Sequence, residues 1–173
     1  MAAGATYEPI ATQTLASAAA SITFSSIAAT YTDLRLVLTA LSATSAGTYP
    51  YVYFNGISGT TNYSQTNISA NGATAISSAE TSVGSTYLVG SGTFVFCTDV
   101  IPGTATLDIF SYAGSTNKTT LCSTSIDTNG AGNVARSVIL WRSTAAITSI
   151  NLGKLGQNYG IGTTATLYGI KAA

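Results

Sequence analysis

Apolar and polar residues alternate with a period of two along most of this chain. From Asp33 to Ala40, residues Leu34, Leu36, Leu38 and Ala40 share one face while Asp33, Arg35, Val37 and Thr39 share the other, the pattern of a strand with one side in a core. Comparable runs occupy Tyr49 to Phe54, Phe94 to Val100, Thr104 to Tyr112, Lys118 to Ile126, Val134 to Trp141, Ile147 to Leu152 and Ala165 to Ile170. Weaker ones lie at Tyr7 to Leu15, Ser21 to Phe24 and Tyr63 to Ala70. The pattern predicts about ten strands. Between the runs stand Asn55-Gly56, Asn71-Gly72, Pro102-Gly103, Asn129-Gly130 and Gly160-Ile-Gly162, which supply the positive-φ positions that tight turns need. Only Leu15 to Ala20 competes as a helix, and it is too short and too rich in serine. The fold class expected is all-β: a single-domain antiparallel β-sandwich over residues 1–173, with a jelly roll the favoured topology at this size.

Composition sharpens this picture mainly by exclusion. The chain has no histidine, six basic and six acidic residues, and zero formal charge. Ser-His-Asp and Cys-His catalysis need the missing imidazole. A glycoside hydrolase would have to draw two acids from Glu8, Asp33, Glu80, Asp99, Asp108 and Asp127, which sit where solvated strand and turn acids belong. The expectation is therefore no enzyme, no catalytic residue and no cofactor. Two cysteines without histidine cannot fill a tetrahedral zinc site, and Asp127-Thr-Asn129-Gly130 lacks the later carboxylate of a calcium loop, so no metal is expected. Cys97 and Cys122 are either a disulfide, if their strands are neighbours, or two small core residues.

Balanced charge leaves no footprint for nucleic acid, and the charge-free stretch from Ile10 to Thr32 carries too much Thr, Gln and Ser to insert in a membrane. No secretion signal is expected. Weak charge repulsion suits life inside an assembly, so a homo-oligomer is expected, with a trimer favoured. Two segments are candidate partner contacts. Tyr49, Tyr51 and Tyr53 fall on one face of a strand, where they either stack on sugars, pack into a partner or fill a core. Tyr7, Pro9 and Ile10 lie in segment 2–15, read as an N-terminal arm or an edge strand because Pro9 removes a backbone donor. The Thr pairs at 12/14, 104/106 and 164/166 read as a solvated sheet face. Trp141, after Val138-Ile-Leu140, is expected to be buried.

Thr6-Tyr-Glu-Pro-Ile-Ala-Thr12, Ser21-Ile-Thr-Phe-Ser-Ser-Ile27 running into Thr30-Tyr-Thr-Asp-Leu34, Trp141-Arg-Ser-Thr144 and Leu167-Tyr-Gly-Ile-Lys-Ala-Ala173, with Phe54-Asn-Gly56 and Asn62-Tyr-Ser64, form one set. Read together they resemble a family of small virion structural proteins of tailed bacteriophages, especially phages of aquatic bacteria. The resemblance implies a β-rich virion protein without catalytic residues, made in the bacterial host cytoplasm. It implies either a capsid decoration (cement) protein on the major capsid protein or another virion protein, or a tail fibre, spike or baseplate module that recognises host glycan. A compact chain without a coiled-coil shaft favours decoration.

Overall fold

The computed structural model describes residues 6–45, 49–58, 61–88, 95–154 and 156–171. Among these there are twelve strands and no helix: β1 (Tyr7–Thr14), β2 (Ser21–Phe24), β3 (Asp33–Ala40), β4 (Pro50–Phe54), β5 (Tyr63–Ala70), β6 (Ala75–Val83), β7 (Thr86–Tyr87), β8 (Gly103–Phe110), β9 (Lys118–Ile126), β10 (Asn133–Trp141), β11 (Ile150–Lys154) and β12 (Thr164–Ile170). They form two antiparallel sheets. The larger has the order β1-β12-β3-β8-β9-β10-β5-β6 and the smaller the order β2-β11-β4-β7. The sandwich expected from the alternation is what forms. The jelly-roll winding is not one that this eight-and-four division demonstrates.

One core fills the space between the sheets. Leu34, Leu36 and Leu38 of β3, Leu107 and Ile109 of β8, Ile139 of β10 and Leu167 of β12 meet Ile22, Phe24, Val52, Phe54, Ile150 and Leu152 of the small sheet. Trp141 is fully buried, its ring 5.5 Å from Phe54 and 6.3 Å from Tyr63. Cys97 and Cys122 are both buried and not joined in a disulfide, which settles them as small core residues. Lys118 is also buried, and its ammonium donates to the carbonyls of Gly114, Thr116 and Ser143. That tripod ties the loop before β9 to the one after β10.

Three local expectations need correction. The run from Phe94 to Val100 is not a strand over its described part, and Phe94 itself lies outside the described residues. Thr98 Oγ1 accepts from the amides of Val100 and Ile101, and the Thr98 amide donates to the Ile101 carbonyl, so the backbone turns instead of extending. β11 begins at Ile150 and not at Ile147, although Ile147 is buried, because the Asn55 side chain accepts from the amides of Thr148 and Ser149 and holds them out of the ladder. β6 and β7 went unrecognised. β6 reads Ala-Ile-Ser-Ser-Ala-Glu-Thr-Ser-Val and shows both faces to solvent, so it has no apolar phase to detect. Its place in the sheet comes from backbone pairing with β5.

The turns follow their chemistry. Asn55 and Gly56 both have positive φ, at 53° and 68°. Asp127 Oδ1 accepts from the Gly130 amide, so the calcium-like spacing is an Asx turn.

Burial pushes the Tyr63 phenol and the Cys122 thiol up to about 12 and raises Tyr159 as well. Each group is neutral in the fold, and the unfolded chain releases its protons first. Their stabilisation is complete below their ordinary values of 9.0 and 10.0 and is lost as pH rises toward the folded values. Lys118, lowered by burial, pulls the other way up to its ordinary 10.5. Three groups against one should make the urea midpoint level from pH 7 to 8.5 and falling between pH 9 and 12, a fall that Tyr63→Phe reduces. A midpoint that rises over that window contradicts the burial of these groups.

Candidate functional site

The outer face of the large sheet spans all eight strands, and the strand registers lay it out in rows. One row runs Thr14, Thr164, Thr39, Thr104, Ser125, Val134, Ala70 and Ala75 across all eight strands. The next runs Thr12, Thr166, Val37, Thr106, Ser123, Arg136, Ile68 and Ser77. The Thr pairs of the sequence thus stand in register on one solvated face, where Thr12 meets Thr166 at 3.1 Å and Thr14 meets Thr164 at 3.0 Å through their hydroxyls. A third row holds Tyr168, Arg35, Asp108, Leu121 and Val138.

The strands place Asp33, Arg35, Asp108 and Arg136 on this face, two of each sign, and Arg142, just past β10, donates to Ser64 Oγ at its border. Arg35 and Asp108 lie directly opposite and form a two-pronged pair, Nε to Oδ1 at 2.5 Å and Nη2 to Oδ2 at 2.9 Å. That carboxylate holds the Arg35 guanidinium above its ordinary pKa. The pair cancels its own charge, with the Tyr7 ring 5.7 Å beneath the guanidinium. Asp33 is spent on the Ser111 amide. Beside these groups large apolar side chains remain in solvent: Ile68 is 60% exposed, Val134 58%, Val138 49% and Phe110 44%. A shallow groove of about 570 Å³ runs between Ile68, Thr104, Thr106, Ser123, Val134 and Arg136.

The sequence candidates fall on two separate surfaces. Tyr7 and Pro9 lie on β1, the edge strand of the large sheet, and Ile10 turns inward against the core at a bulge between Pro9 and Ala11. From Tyr7 onward, segment 2–15 is therefore a strand of the domain's own sheet; residues 2–5 lie outside those described. Tyr51 and Tyr53 share the outer face of β4 in the small sheet, their rings 6.0 Å apart and within 18° of parallel. Tyr51 lies flat on Gly153, where a Cβ would fall 2.2 Å from its ring. Tyr49 precedes the strand and meets Tyr87 edge-on at 6.0 Å. Asn151, paired with Tyr53 across the ladder, donates to Thr23 Oγ1.

The outer-face residues Val37, Leu121, Val134, Val138 and Leu140 were missed as a group. The available signal was apolar residues in the outward phase of strands whose inward phase was already apolar. Five of the six acids are engaged structurally: besides Asp33 and Asp108, Glu8 pairs with Lys171 at 2.7 Å, Glu80 accepts from Gln65, and Asp127 holds its turn. Among the described residues, no three of His, Cys, Asp and Glu come together to hold a metal ion. Compared with family models, curated proteins and solved structures, the chain matches no family model, no curated protein and no solved structure.

Proposed function

We propose that this protein is a non-enzymatic structural component of a bacteriophage particle, acting as a capsid decoration protein that seats the outer face of its large sheet on the shell. The observation that supports this reading is the face itself, eight strands wide, sparse in charge, and carrying exposed Ile68, Val134, Val138 and Phe110 beside rows of hydroxyls. Such a surface loses little on leaving water and meets a neutral protein surface without repulsion. A protein that binds only the assembled shell stabilises it by mass action. Purified protein should co-sediment with particles lacking it, in proportion to the shell subunits. Val138→Arg, at an exposed position that the fold does not need, should weaken that binding by about tenfold or more, the equivalent of about 1.4 kcal/mol. Unchanged binding by Val138→Arg, with the fold intact, would exclude this face as the seat.

A tail module that binds host glycan is the second reading, favoured by the paired rings of Tyr51 and Tyr53 beside Asn151. Loss of binding to host polysaccharide in Tyr51→Ala, with particle binding by that face unaffected, would support it.

A further inference from the structure

The two ends of the large sheet are built differently. β1 is a blunted edge: Pro9 lacks a donor, a bulge separates Pro9 from Ala11, the Glu8–Lys171 pair sits at its start, and the Gln13 amide is tied to the Thr23 carbonyl. Those are the devices by which sheets avoid adding another strand. β6, at the opposite end, has almost none of them. Over nine residues, about 30 Å at strand rise, it pairs with β5 alone among the described residues, and only Val83 at its end packs against the core. It holds no proline and no lysine, its single charge, Glu80, is already bound by Gln65 Nε2 at 3.1 Å, and its one bulge falls at Ser82 near the end, where φ is 58°. The remaining side chains are small or hydroxylated, with Ile76 38% exposed.

We propose that β6 is a self-association edge, to which β6 of a second copy adds antiparallel about a two-fold axis at Ala79, joining two large sheets into one. The sequence of the strand suits its own reverse. Centred on Ala79, Ser77 faces Thr81 of the second copy and Ser78 faces its Glu80, and the regular stretch ends before the bulge at Ser82. Each carboxylate thus meets a hydroxyl, whereas a centre at Glu80 would oppose two carboxylates. Addition to β1 instead, which would build a ring, meets the proline, the bulge and the ion pair. A two-fold contact makes a dimer, in place of the trimer that the sequence favoured. The contact does not depend on the particle reading.

Sedimentation equilibrium of the full chain tests it, using wild type, Ala79→Lys, Ala79→Glu and an equal mixture of the two variants. Ala79 is exposed, so circular dichroism should show all of them folded. The wild type should be a dimer. Each single variant, with like charges face to face at the axis, should self-associate about fivefold more weakly, and the mixture should recover the wild-type affinity or exceed it. A wild type that stays monomeric or forms a trimer overturns the proposal. So does a dimer whose affinity Ala79→Lys leaves unchanged, or a mixture no tighter than its components.

Discussion

Trp141→Ala is expected to lower the folding free energy by about 3–5 kcal/mol, the cost of emptying a large site in a packed core. The indole is fully buried between Phe54 and Tyr63, where the end of β10 meets the small sheet, so no single neighbour can fill the space. Its Nε1 meets no acceptor among the described residues, which makes Trp141→Phe the informative partner. That variant removes volume and an unsatisfied donor together, and should cost clearly less than alanine. Urea unfolding followed by circular dichroism measures both. Because this is the chain's one tryptophan, native fluorescence gives an independent check, and an emission maximum typical of indole in water would refute the burial.

Gly103→Ala should be at least as damaging. At this first residue of β8 an added Cβ would fall 1.6 Å from the Phe96 carbonyl oxygen and 2.7 Å from its carbon. Both are backbone atoms, so no rotamer change relieves the clash. Segment 95–98 must move away or the pairing of Gly103 with Ala40 must open. We expect a loss of about 4 kcal/mol or more, in the range that only a named structural conflict reaches. Gly72→Ala is the control: its φ of +86° strains an alanine, but nothing lies within 4 Å, so the cost should be about 1 kcal/mol. A Gly103→Ala protein as stable as the Gly72→Ala protein would mean that the segment before β8 is not packed this closely.

The parts of this fold that were legible in the sequence are those whose inward phase is apolar and whose outward phase is not. β3 shows it plainly, with Leu34, Leu36, Leu38 and Ala40 inward. β6 was invisible because both of its phases are small and polar, and nothing short of its pairing with β5 identifies it. The Phe94 to Val100 run misled because its apolar residues alternate although Thr98 turns the chain. The outer face was illegible for a different reason. Each strand contributes only a few outward apolar residues, such as Val37 from β3, Leu121 from β9, Val134, Val138 and Leu140 from β10, and Ile68 from β5, and only the registers collect them into a surface. The tyrosines of β4 were legible as a set, since their shared face follows from period two alone, but the seat of Tyr51 on Gly153 requires knowing that β11 is the neighbour.

Hydroxyl-radical footprinting of the protein free and bound to particles reports which face the particle covers. With the large sheet seated on the shell, oxidation of Phe110, Val134, Val138 and Ile68 should be suppressed on binding while that of Tyr51 and Tyr53 is unchanged. Protection of Tyr51 and Tyr53, with the large-sheet residues as reactive as in the free protein, would contradict that seating.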